Sequence, residues 1–275
     1  MSRALNSLVV ILCAMPSAHE ACAQTRTTNE FRGNGICRFA VQDYPLTPQM
    51  EGTINAGVTK LITLHKSVFG LTNPLPRTVN VRIFGTYEGF KLYHVTHATK
   101  LPIWADSFYL PEENEIVASK KSKPAKLLQS IYHEATHAIL SKAVGYPPLW
   151  FNEGSAEYFS KIMVAQTGIG QEVFREGFGP CKIMLRQNRL PALETVLRYD
   201  AGDWPATRQH EVYAVSWSVV QFLTTSQART EVLRKFVQRL QEYRGNLDSL
   251  ETLDKLYPGG LKKMEEEWRA WLVSA

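Results

Sequence analysis

The chain has 275 residues, 44% of them hydrophobic and 21% charged, with 31 basic and 26 acidic side chains giving a net charge of +5. That is enough for one sizeable core. The basic residues are scattered among acidic ones and cluster only at Lys120-Lys121-x-Lys123 and Lys262-Lys263, the pattern of a solvated surface and not of a nucleic-acid-binding face.

Residues 1–23 read as a secretory signal peptide. Arg3 supplies a positive start, Ala4 to Ala14 is apolar, Pro16 breaks the run, and Ala21-Cys22-Ala23 offers a small-residue cleavage site before Gln24. The apolar run is about half the length a membrane span needs, and no second one follows. The residues before Cys13 and Cys22 do not fit a lipoprotein signal. The expectation is an exported protein, periplasmic or extracellular, without a transmembrane anchor after signal removal. Residues 24–275 carry no Ser/Gly/Pro-rich linker and read as one domain.

Residues 24–36 are polar and read as poorly ordered up to Cys37. Pro48 to Gly70 has helical spacing at Ile54, Val58, Leu61, Ile62, Leu64 and Val68. Arg77 to Phe84 alternates as a half-buried strand that Gly85 ends, and Tyr87 to His97 forms a short helix. His94 and His97 have no carboxylate partner nearby in sequence and read as surface or groove residues. Ser107–Leu110 and Glu115–Ser119 flank Pro111-Glu112-Glu113-Asn114 as a hairpin.

The stretch Ile131-Tyr132-His133-Glu134-Ala135-Thr136-His137 lies in a helix that Pro124 starts and that Leu127, Leu128, Ala138 and Ile139 bury. At about 100° per residue, His133 and His137 sit one turn apart on one face and can reach one metal ion. Glu134 lies close enough to serve a water there without being a ligand. A third ligand is expected from Trp150-Phe151-Asn152-Glu153-Gly154-Ser155-Ala156-Glu157-Tyr158, which opens a second helix. The first helix can continue to Val144, about 10 Å beyond His137, before Gly145 and Pro147-Pro148 stop it. The connection Gly145 to Trp150 can reach back by up to about 20 Å. An antiparallel second helix can therefore bring Glu153 beside the histidines.

With these motifs the chain resembles the gluzincin metallopeptidases, whose second motif is Asn-Glu-Gly-x-Ala with that Glu on zinc. It is most similar to the peptidase-MA-like domains of bacterial secreted proteins, in which His-Glu-x-x-His is followed by Pro-x-Trp-x-x-Glu-Gly-x-Ala-Glu-Tyr. The matching residues are Pro148, Trp150, Glu153, Gly154, Ala156, Glu157 and Tyr158. The connection is a few residues shorter than in the aminopeptidase branch, and that branch's Gly-x-Met-Glu-Asn segment is absent. The resemblance implies an α+β fold, a small mixed or antiparallel sheet followed by a mainly helical zincin-like region, with the active-site helix between them. It also implies a substrate strand just before that helix, for which Ile116, Val117 and Ala118 are the candidates.

Beyond the motifs, Gly168 to Gly179 reads as a loop region with a short helix. Leu190-Pro191-Ala192-Leu193 reads as a loop, Tyr213 to Leu223 as a core helix, and Arg229–Arg244 and Leu261–Val273 as amphipathic helices. Cys37 and Cys181 remain after signal removal, and in an exported chain two cysteines read as one disulfide. Such a bridge would close a loop of about 145 residues and contribute about 4–5 kcal/mol.

The expected function is hydrolysis of a peptide or protein substrate with one Zn2+ held by His133, His137 and Glu153. Glu134 is the general base. Glu157, one turn after Glu153, is expected to accept from a ligand imidazole, or else to be a solvated helix carboxylate. The gluzincin aminopeptidases use a Tyr at the start of a downstream apolar helix as donor to the developing oxyanion, and that context makes Tyr213 the candidate. Tyr158, Tyr199 and His210 compete for the role, and Tyr213 could instead only cap a buried helix. The alternative function is a non-catalytic, zinc-stabilised binding or scaffold protein, which would have no use for a base at Glu134.

Overall fold

A computed structural model describes residues 26–99, 101, 105–164, 171–200 and 209–275. The expected signal peptide at residues 1–23 lies outside the described residues. Among the described residues no helix is long and apolar enough to cross a membrane.

The chain builds a five-stranded mixed sheet and then a mainly helical region, an α+β fold as expected. In chain order the first part is β1 (Arg26–Arg32), β2 (Cys37–Tyr44), α1 (Pro48–Phe69), β3 (Val79–Phe84), α2 (Tyr87–His97), β4 (Ser107–Leu110) and β5 (Glu115–Ser119). The sheet order is β1-β2-β3-β5-β4; β2, β3 and β5 run parallel, and the outer strands β1 and β4 run antiparallel to their neighbours.

Two corrections follow from this order. Residues 26–32 form an edge strand instead of a loose leader, because their backbone groups pair with β2 although Phe31 is the only large apolar residue among them. Ile116, Val117 and Ala118 do not lie at an edge. They are fully buried between β3 and β4, because β5 pairs on both sides. On this side of the sheet the outer strand among the described residues is β4.

The helices begin and end where local chemistry dictates. Thr47 caps α1 by accepting from the Met50 N–H at 3.2 Å ahead of Pro48, and Gly70 ends it in the left-handed conformation. Thr86 caps α2 in the same way. This helix covers the outer face of the sheet over a small core of Phe84, Phe90, Phe108 and Val117. His94 is buried there against Phe90 and Phe108, contrary to expectation, whereas His97 is exposed and stacked on Tyr93.

The main core lies on the other face. Phe39, Val81, Ile83, Ile116 and Ala118 from the sheet meet α1 and α3 (Pro124–Val144). Leu127, Ile131 and Ile139 of α3 are each buried here, and each such side chain contributes about 1.5–3 kcal/mol. α3 ends at Gly145, whose φ of +85° few other residues tolerate. After it come α4 (Leu149–Val164), α5 (Gln171–Arg186), α6 (Leu193–Leu197), α7 (Gln209–Leu223), α8 (Gln227–Tyr243), α9 (Ser249–Leu256) and α10 (Gly260–Ser274).

Part of the expected Gly-rich loop, residues 168–170, lies outside the described residues. The rest of it, to Gly179, belongs to α5, which continues through Pro180. Burial of Cys181 and Met184 beside α7 outweighs the lost hydrogen bond. The expected disulfide is not formed. Cys37 begins β2 and Cys181 sits beside Ser218 of α7, and both are free, fully buried thiols. Burial pushes each thiol up to about 12, so neither is a reactive thiolate at neutral pH.

Candidate metal centre

α3 and α4 pack against each other and bring together three groups that could hold one metal ion. The Nε2 atoms of His133 and His137 lie 3.3 and 3.5 Å from Oε2 of Glu153. One ligand atom from each of the three residues lies within 4.8 Å of the others. The imidazole centroids are 4.8 Å apart with planes at 81°, so both Nε2 atoms point at a common centre from different directions.

The opposite ring nitrogens are held from behind. Nδ1 of His133 lies 3.3 Å from Oε1 of Glu157, and Glu157 also pairs with Lys161 one turn further along α4. Nδ1 of His137 donates to Oδ1 of Asn152 at 3.0 Å. Each acceptor holds a proton on Nδ1 and leaves the Nε2 lone pair facing the centre, as a metal-ligating histidine requires. Glu157 thus stands beside the His133 ring nitrogen that faces away from Glu153. Asn152 and Lys161 were missed, although Asn152 adjoins Glu153 and Lys161 follows Glu157 at i+4, both visible signals.

Glu134 is 4% exposed and faces the cleft beside the triad. The Ser107 hydroxyl on β4 donates to its Oε1 at 2.8 Å. Burial raises the Glu134 pKa above the ordinary carboxylate value, against the pull of the two histidines and the Ser107 bond. Glu153 is also buried, yet the neighbouring imidazoles outweigh that and hold its pKa down to about 2. Burial opposes charge on His133, but Glu153 and Glu157 prevail and raise its pKa well above the ordinary histidine value. The His137 pKa is raised as well, where Glu153 outweighs burial. The field at this point favours a cation.

A zinc ion fits the donor set. Two imidazole nitrogens and one carboxylate leave a position open, and Oε2 of Glu153 is buried without a hydrogen-bond partner, a cost that a cation would remove.

α7 brings Tyr213 to the same place. Its ring centroid is 6.0 Å from that of His133, at 79°. Gly154 makes this approach possible, since a Cβ there would come within 2.4 Å of the Ser216 carbonyl oxygen on α7. The glycine after Glu153 therefore sets the distance between two site-bearing helices. His210 is exposed at the cleft and Tyr158 is buried in the core.

The cleft extends to both sides of the triad. A cavity of about 270 Å³ is bordered by Asp106, Gln129, Ser130, Glu157, Ser160 and His210. A second of about 560 Å³ is bordered by Leu101, Phe108, Tyr109, Pro111, Tyr146, Pro147 and Leu149. Ser107, His133, Glu134 and Tyr213 are common to both.

No curated protein matches the chain. Residues 128–244, which include the triad, Glu134, Glu157 and Tyr213, match the model of a family described as protein of unknown function (DUF1570), and the triad within them resembles a zincin site.

Proposed function

We propose that the protein is an exported, zinc-dependent peptidase whose base is Glu134. The observation that carries this reading is a buried carboxylate that lies beside the candidate ligands without being one of them, oriented by Ser107 and facing a cleft open on both sides. A structural metal site has no use for such a group. The export part of the proposal is supported by the charge and apolar pattern of residues 1–23.

When bound, zinc would lower the pKa of water and polarise the substrate carbonyl. Glu134 takes a proton from the attacking water as its oxygen bonds to the carbonyl carbon, and then delivers that proton to the amide nitrogen as the C–N bond breaks. The products are a carboxylic acid, which ionises at neutral pH, and an amine. Ser107 keeps one Glu134 oxygen occupied and leaves the other for the proton. Tyr213, on the cleft side of His133, is the proposed donor to the developing oxyanion. Glu157 and Asn152 orient the two imidazoles.

The test is cleavage of a denatured-proteome peptide library by the full chain with zinc, with chelator, and with Glu134→Gln. Chelator and Glu134→Gln should each abolish cleavage, while the variant keeps its zinc. Zinc bound at one equivalent without cleavage by the wild type would favour a non-catalytic binding protein.

A further inference from the structure

The two halves of the cleft differ in chemistry, and Tyr146 stands at the mouth of the apolar half. It is 86% exposed although it borders that cavity. An aromatic ring held in water at a cavity mouth is surface that a ligand can cover. Its backbone is fixed. The Tyr146 N–H donates to the Arg244 carbonyl at 3.3 Å, and a Cβ at Gly145 would come within 2.6 Å of that same oxygen. The ring is presented from an ordered turn, so a ligand need not order the backbone on binding. Pro147 and Leu149 lie beside it, and Phe108, Tyr109 and Pro111 border the same cavity from the β4 side.

The edge strand sets a direction across the cleft. β4 starts at Ser107, hydrogen-bonded to Glu134, and runs toward Tyr109 and Pro111 in the apolar half. Its outer edge has no strand partner among the described residues. Extended peptides add to such an edge through backbone hydrogen bonds, and the antiparallel pairing is the more stable one. An antiparallel peptide enters beside Pro111, passes Glu134 at Ser107, and leaves through the half bordered by Asp106, Gln129, Ser130 and Ser160.

We infer that the cleft selects extended peptides with a large apolar side chain on the N-terminal side of the bond cut, seated beside Leu149 under Tyr146, and with polar residues after it. This deepens the peptidase reading and rests on it. Tyr146 is then a specificity-determining residue and not part of the chemistry.

Two measurements separate this inference from the function it rests on. In the first, the zinc-loaded Glu134→Gln chain binds labelled eight-residue peptides of Gly, Ser and Ala that carry Phe, Leu or Gly at one fixed position. The Phe and Leu peptides should bind at least about tenfold more tightly than the Gly peptide. Adding Tyr146→Ser, at an exposed site where the change should leave the circular dichroism intact, should cut that preference to about threefold or less. Equal binding of all peptides, or a preference indifferent to Tyr146→Ser, overturns the subsite. In the second, the wild-type chain cleaves the same peptides. Cuts that follow the apolar residue support the direction, and cuts that precede it overturn the direction. No cleavage with a Tyr146-dependent preference intact refutes the peptidase reading and the cut-site half of the inference, and supports the apolar subsite.

Discussion

His65 of α1 makes acid stability calculable. It is 0% exposed in α1, stacked at 3.7 Å on Phe159 of α4 and edge-on at 5.7 Å to Phe69. Its Nδ1 donates to the Leu61 carbonyl at 2.8 Å, and its Nε2 has no partner. A second proton would place a charge in this apolar stack, so burial pushes its pKa down to about 3, against the Leu61 bond. The unfolded chain has the ordinary value of about 6.5. Between these values the unfolded state binds a proton that the native state refuses. The contribution is therefore fully present above about pH 6.5 and is lost as the pH falls toward 3. The loss is about 1.4 kcal/mol per pH unit, or about 2 kcal/mol at pH 5 and a ceiling of about 5 kcal/mol below pH 3. His65→Phe keeps a ring in the stack and removes the titration. Urea unfolding of both chains at pH 7.5, 6.5, 5.5 and 5.0, with chelator present, subtracts the other titrating groups. The variant should gain on the wild type by about 2 kcal/mol between pH 7.5 and 5. A stability difference independent of pH across that range would refute the assignment of His65 as a buried neutral residue.

Further outcomes are expected at the site. Glu157→Ala and Asn152→Ala should each weaken zinc affinity by roughly 10–100-fold, measured by competition with a chromophoric chelator, because each frees an imidazole to turn. Unchanged affinity in both would mean that the two acceptors do not orient the ligands. Tyr213→Phe should leave zinc content and folding intact while lowering kcat by about 10²–10³-fold. A change in KM alone would instead indicate ground-state binding. Gly154→Ala should destabilise the protein by about 1–3 kcal/mol in thermal or urea unfolding, since the added methyl meets a backbone oxygen of α7 and must push that helix away. A neutral result would mean that the α4–α7 approach is looser than described.

What the sequence determined by itself was local. Helical repeat places His133, Glu134 and His137 on adjacent parts of one turn, and it places Glu157 one turn after Glu153, whatever surrounds them. Thr47-Pro48, Gly70 and Gly145 mark helix ends because capping depends on a few neighbouring residues. The same locality explains the failures. The sequence Arg-Thr-Thr-Asn-Glu-Phe-Arg of β1 carries no strand pattern, and only the hydrogen bonds offered by β2 make it one. Pro180 argues against a helix until Cys181 and Met184 are packed beside α7. That β4 and not β5 is the edge depends on which side of β5 meets β3, a pairing across more than thirty residues that neither hairpin strand encodes. Ser107, Asn152 and Tyr146 take their roles from contacts between elements, and two cysteines that composition suggests should bond are held in separate parts of the core. A ligand pair along one helix follows from its rise and turn. A site assembled from three helices and a strand edge exists only once their packing has set the distances between them.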